Sequence, residues 1–283
     1  MPQTRVVMLT VLAMLAFAAN SLLCRLALRS TPIDPATFTA IRLVSGASVL
    51  ALIVAIRGRA RLGGNWWSAL ALFVYAAGFS LAYVGLPAAA GALLLFGSVQ
   101  VTMHAWGIRA GERIGKWEAC GLLLAAGGLV ALLLPGLSAP PPGSAAMMLC
   151  AGVAWGVYSL RGKGAGDPTA TTAGNFLRSV PMALLLLLLL PGQRDVDSTG
   201  LALAVASGAL ASGVGYVIWY AALPALRATS AAVVQLSVPV IAAIGGVVLL
   251  AEPVSLRLVL SALAVLGGVA LALRRPVRVP TGG

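Results

Sequence analysis

Residues able to do polar chemistry are scarce in this sequence, and they recur at intervals that place them on shared helical faces. Gly97, Gln100 and His104 follow the three-then-four spacing that stacks side chains along one side of a helix, and Phe17, Asn20 and Cys24 repeat it. Tyr75, Phe79 and Tyr83 step by four, Ser212, Tyr216 and Trp219 by four and three, and Trp155 and Tyr158 by three. Gln235 adds an amide one turn before Pro239, which interrupts the helical hydrogen-bond ladder. Amides, one imidazole and a set of phenol and indole rings hold a ligand by hydrogen bonding, stacking and cation–π contact. The candidate contacts for one cavity are therefore Asn20, Tyr75, Phe79, Tyr83, Gln100, His104, Trp155, Tyr158, Tyr216, Trp219 and Gln235. Asn20, Gln100 and His104 equally suit hydrogen bonding between helices as packing glue.

Bond-breaking chemistry has little to draw on. A chain with one histidine cannot build a His-Glu-x-x-His zinc site, and its seven acids are not clustered to hold magnesium. Ser98 and His104 are six residues apart, which turns them to different faces of a helix. The protein is read as a non-enzyme without cofactor or metal, an intramembrane enzyme being a remote alternative.

The elements that carry these residues are membrane spans. The chain is 60% hydrophobic and 9% charged, with mean hydropathy +1.00. So much apolar surface cannot be hidden in a water-soluble core of 283 residues, and lipid must cover the rest. Apolar runs long enough to cross a hydrocarbon layer of about 30 Å lie near 6–28, 36–56, 66–85, 88–108, 116–134, 144–161, 170–190, 200–222, 229–250 and 255–273. The run at 6–28, with Arg5 before it and Ala16-Phe17-Ala18 inside it, resembles a cleavable signal. It is read as a span, because it aligns with an internal helix ending at Arg161. The Lys and Arg residues gather in alternate loops, which predicts both termini in the cytoplasm. The net charge of +12 is then a matter of topology, and no nucleic-acid partner is expected.

The chain also repeats itself. Glu112, Gly127 and Gly128 recur 140 positions later as Glu252, Gly267 and Gly268, as do Ala92 and Leu123 as Ala232 and Leu263. Arg25 and Arg42 answer to Arg161 and Arg178 at an offset of 136, and Leu86-Pro87 to Leu223-Pro224 at 137. Residues 1–138 and 144–276 are two copies of a five-span unit, joined by the stiff segment Ser138-Ala139-Pro140-Pro141-Pro142-Gly143. An odd number of spans forces the second copy to enter the bilayer from the opposite side, which is the inverted-repeat plan of many transporters.

Several placements follow. All seven acids fall in loops or at span ends, so no carboxylate is available at the midplane for proton or sodium coupling. Glu112 and Glu252 precede spans five and ten, where a carboxylate caps a helix N-terminus. The glycine pairs let helices pack closely, and Cys24, Cys120 and Cys150 are small packing residues with no disulfide framework. Trp66, Trp67 and Trp117 belong to the interfacial aromatic belt, and the leucines from Leu184 to Leu190 face lipid.

The repeated pieces resemble a known family. Gly111-Glu112 with Gly127-Gly128 and Ala251-Glu252-Pro253 with Gly267-Gly268 look like the closing signature of each half in the drug/metabolite transporter superfamily. Asp34-Pro35 with Arg42 and Asp167-Pro168 with Arg178 are similar to the second span of its EamA-type unit, and Trp155-Gly156 to its opening span. The first span departs from the pattern, with Ala19-Asn20 where Trp-Gly is usual. The resemblance covers essentially the whole chain and is strongest to YddG-type exporters of aromatic and other amino acids. It implies an all-α polytopic fold of about ten transmembrane helices in two inverted five-helix repeats around a central cavity, in a bacterial inner membrane. The expected partners are the lipid bilayer and a small amphipathic metabolite, an amino acid above all, exported or equilibrated by alternating access. A sugar-nucleotide or drug transporter of the same superfamily is the alternative; a phosphate-bearing substrate would draw on Arg25, Arg42 and Arg178. The sequence leaves the oligomeric state open.

Overall fold

The computed structural model describes residues 3–58, 62–109, 115–134, 136, 139–162, 167–190, 195–222, 225, 234–235 and 237–272. Among these residues the chain forms ten helical segments and no strand. They are α1 (Gln3–Ser30), α2 (Pro35–Ile56), α3 (Trp66–Tyr83), α4 (Ala88–Arg109), α5 (Lys116–Leu133), α6 (Pro142–Gly162), α7 (Pro168–Leu189), α8 (Ser198–Ala222), α9 (Ser237–Leu250) and α10 (Leu256–Ala272). Seven are long and apolar enough to cross a membrane, and the apolar helices at Ala119–Leu133, Ser237–Leu250 and Leu256–Leu271 are shorter. The ninth expected span, 229–250, is described as a helix from Ser237. Glu112, Leu223-Pro224 and Ala232, used above to align the copies, and Ser138 of the joining segment lie outside the described residues.

Local sequence sets the helix starts. The Asp34 carboxylate accepts from the backbone N–H of Ala36 and Thr37, each at 2.9 Å, with Pro35 in the first turn where its missing N–H costs nothing. Asp167-Pro168 repeats the device at α7, where Oδ1 accepts from Thr169 N at 3.0 Å. Asn65 caps α3 and Asp197 caps α8 in the same way. The two Asp-Pro motifs are thus helix starts.

Small residues let the helices approach. A Cβ on Gly128 of α5 would stand 2.8 Å from Ala264 Cβ, and one on Gly268 of α10 would stand 2.5 Å from Gly121 O. The same addition at Gly127 or Gly267 would meet nothing, so one glycine of each pair makes the α5–α10 contact and the other does not. Elsewhere α2 packs against α7 and the middle of α8, α3 and α4 against α6, α4 against α9, and α1 against α8 and α9. The middle of α8, Ala206–Val214, is wound as a π-helix. Its small residues bring it onto α2, where Gly208 faces the Arg42 carbonyl with no room for a side chain.

The outward faces are apolar. Leu184, Leu185, Leu188, Leu189 and Leu190 are exposed, as are Trp66, Trp67, Trp106 and Trp117 near helix ends, a distribution suited to hydrocarbon with an interfacial aromatic rim. Cys24 is buried, whereas Cys120 and Cys150 lie on exposed faces and so do not pack between helices.

Candidate functional site

Inside the bundle the stripes converge. Phe17 of α1, Tyr75 and Phe79 of α3, Trp155 of α6 and Tyr216 of α8 line one cavity together with Asn20. Tyr75 and Trp155 have ring centroids 4.8 Å apart, Trp155 and Tyr216 5.1 Å, and Phe17 and Tyr216 5.8 Å. Trp219 packs edge-on against Phe17 at 6.0 Å, and Tyr83 against Phe79 at 4.7 Å. The enclosed space is about 20 Å³, roughly one water molecule. The rings fill the site on themselves and leave no room for a larger molecule.

A buried polar network runs behind these rings. Ser207 donates to Asn20 Oδ1 at 2.6 Å, and Asn20 Nδ2 donates to the Tyr75 hydroxyl at 3.3 Å. Arg42 Nη2 donates to the same hydroxyl at 3.1 Å, and Arg42 Nε to Ser212 Oγ at 3.3 Å. The guanidinium also lies over the Tyr75 and Phe79 rings, 5.2 and 4.9 Å from their centroids. Ser207 and Ser212 are both on the π-helical stretch of α8, whose wider turn sets the register that delivers them to Asn20 and Arg42. Four helices, α1, α2, α3 and α8, are tied through five side chains.

Tyr158 belongs to a second, larger cavity of about 150 Å³, lined also by Asn65, Ser68, Arg161, Thr172 and Asn175. Arg161 donates to Ser68 Oγ and Asn65 Oδ1, each at 3.1 Å, and Asn65 N donates to Asn175 Oδ1 at 3.0 Å. Trp155 separates the two cavities, with its ring 5.6 Å from Tyr158 on one side and 4.8 Å from Tyr75 on the other.

At the opposite end of α1 and α3 the bundle is tied shut. Arg25 Nε pairs with Glu252 Oε1 at 2.8 Å, and Arg25 Nη1 donates to Tyr83 O at 2.9 Å and Val84 O at 3.0 Å. Glu252 Oε2 accepts from Ala88 N at 2.7 Å. Glu252 therefore caps α4 and not the tenth span, where Ser255 Oγ accepts from Leu258 N instead. The carboxylate is drawn away from its own helix because Arg25 and the open N-terminus of α4 meet at the same point.

Of the predicted site residues, Tyr83, Gln100, His104, Trp219 and Gln235 line neither cavity, Tyr83 and Trp219 packing against Phe79 and Phe17 of the wall. Gln100 is buried on α4, and His104 Nδ1 lies 2.8 Å from the Gln100 carbonyl one turn back. Sequence spacing missed Phe176 of α7, whose ring sits 5.8 Å from Tyr216, and Leu95 and Phe96 of α4 in the cavity wall. The signal for α7 was present as Thr172, Asn175 and Ser179, a buried stripe at three and four.

Helices of this length, apolar outside and lined with rings and hydrogen-bonding groups within, define a multi-pass membrane protein. Residues 143–274 of the chain match the model of the EamA-like transporter family, a family of the drug/metabolite transporter superfamily. The chain is 58% identical over 275 residues to the uncharacterized protein PA1977 of Pseudomonas aeruginosa, with 96% of each chain covered. A solved crystal structure of a protein 21% identical in sequence shares the fold at a TM-score of 0.68, over 95% of this chain and 96% of that one.

Proposed function

We propose that this transporter exports or equilibrates small amphipathic metabolites, amino acids including aromatic ones above all, across the bacterial inner membrane. The observation that carries the reading is the aromatic cluster of Phe17, Tyr75, Trp155 and Tyr216 around a small cavity bordered by Asn20 and the Arg42 network. Such a site takes an apolar ring or branched chain between faces and orients a polar head on the network.

Two inverted halves, 1–138 and 144–276, with both termini in the cytoplasm, give the working geometry. Exchange of the halves maps α2 onto α7 and α5 onto α10, which pack on each other, and maps the α3–α6 contact onto that of α8 with α1. That self-consistency supports the repeat. Under the positive-inside rule the larger cavity, beside Arg161, opens toward the cytoplasm and the Arg25–Glu252 pair closes the outer end. Alternating access then consists of breaking that pair while Trp155, Tyr158 and their neighbours close behind the substrate.

A sugar-nucleotide substrate fits less well. Its phosphates call for several cavity cations, but Arg25 is held by Glu252, and Arg178 donates to the carbonyls of Gly63 at 2.8 Å and Gly174 at 2.9 Å. The test is uptake and efflux by the purified protein in proteoliposomes, across aromatic and aliphatic amino acids, nucleosides, sugar nucleotides and cationic dyes. Transport of aromatic amino acids in preference to the other classes is expected; transport of dyes or sugar nucleotides alone would replace this reading.

A further inference from the structure

Arg42 is the largest fully buried side chain, 1% exposed, inside an otherwise apolar span. Burying a permanent cation costs several kcal/mol unless an anion answers it. Among the described residues the one ion pair is Arg25–Glu252, so no carboxylate answers Arg42. Asp34, the acid on its own helix, lies eight residues back, about 12 Å along the axis, and is committed to the α2 cap.

The spare capacity around it consists of donors. Arg42 Nη1 and the Tyr216 hydroxyl are buried without a hydrogen-bond partner. The Tyr75 hydroxyl accepts from both Asn20 and Arg42, which leaves its own proton to donate. Tyr75 and Tyr216 line the aromatic cavity, and Arg42 lies against the Tyr75 and Phe79 rings of its wall. Orphaned buried polar atoms in a native structure require a reason, and three N–H or O–H groups with one positive charge are complementary to an anion.

We infer that Arg42 is the anion-recognition residue of this transporter: its substrate carries a carboxylate, which takes the Arg42 Nη1 proton and the phenolic protons of Tyr75 and Tyr216 while the rings hold the apolar part. The inference rests on the proposed amphipathic substrate and narrows it to carboxylic acids. With no acid among the described residues of the cavity lining, an ammonium group on the substrate adds only contact with ring faces, so simple arylalkyl acids are accepted beside amino acids.

The test is calorimetric titration of the full chain in nanodiscs with four ligands that share one ring: phenylalanine, phenylacetate, phenylalaninol and phenethylamine. The two acids are expected to bind about tenfold to a hundredfold more tightly than the alcohol and the amine, the range set by a hydrogen bond to a charged group. Arg42→Gln and Tyr216→Phe should lower binding of the acids alone. Should Arg42→Gln fail to fold, the four wild-type affinities and the milder Tyr216→Phe variant still decide. Equal binding of acids, alcohol and amine overturns the carboxylate assignment and leaves the aromatic-substrate reading standing. Binding of none of the four overturns both.

Discussion

Arg25 and Glu252 are 227 residues apart in sequence and 2.8 Å apart in space, and their contact joins α1 to the turn before α10. Both side chains are largely buried, and the two Glu252 oxygens are divided between a guanidinium and the N-terminus of α4. Removing one partner from a pair of this kind leaves the other charge uncompensated, so the contact holds the end of the bundle closed.

Glu252→Gln is therefore expected to open that end. Cys24, fully buried one residue before Arg25, is a native reporter once Cys120 and Cys150 are replaced by Ser. Its labelling by a membrane-impermeant maleimide should accelerate by about tenfold or more, the factor that 1.4 kcal/mol gives. An unchanged rate would show that the pair does not hold the closed state.

The aromatic cluster predicts a graded response in affinity. Tyr75→Ala, Trp155→Ala and Tyr216→Ala each remove a contact worth roughly 0.5 to 2 kcal/mol, a loss of about twofold to thirtyfold in apparent affinity. Trp66→Ala and Trp67→Ala, on exposed positions, should leave affinity unchanged while altering yield. Equal transport by all five variants at matched protein level would make the stripes helix packing.

Energetics follow from the acid inventory. Glu252 sits at a bundle end and Asp34, Asp167 and Asp197 cap helices, so no described carboxylate lies mid-span. Transport should run down the substrate gradient without an imposed proton or sodium gradient. Uphill accumulation in proteoliposomes driven by a pH gradient alone contradicts this, and its loss in His104→Ala would locate the coupling at the one imidazole.

The glycine pairs give a stability test with an internal control. Gly268→Ala drives a methyl group into the backbone of α5 at Gly121 and Ala125, and should cost about 1 to 3 kcal/mol. Gly267→Ala enters open space and should be neutral or slightly stabilising. Thermal unfolding in detergent micelles reads both; equal midpoints would remove the α5–α10 contact from the account.

Topology is tested directly by single cysteines placed at Arg5 and Arg278. Both should be labelled from the cytoplasmic side, and labelling from opposite sides would exclude an even number of spans.

The span positions were legible because hydrocarbon imposes one requirement on every helix, a run of apolar residues of fixed length, and eight of the ten runs agree with the helices to within two residues at each end. The helix starts were legible too, since Asp34-Pro35 and Asp167-Pro168 act within three residues of themselves. Stripe spacing found Phe17, Tyr75, Trp155 and Tyr216, because residues at intervals of three and four share a face in any helix. Spacing could not say which faces meet. Gln100 and His104 have the same periodicity as Phe17 and Asn20, yet line neither cavity, because helix rotation is set by contacts made hundreds of residues away. Arg42 was legible as a repeat of Arg178 and as a candidate cation for a phosphate-bearing substrate, and Glu252 as a repeat of Glu112 and a cap for its own helix. Their roles were decided by the approach of α2 to the π-helical stretch of α8 and of Arg25 to α4, through-space electrostatic facts that no local pattern encodes.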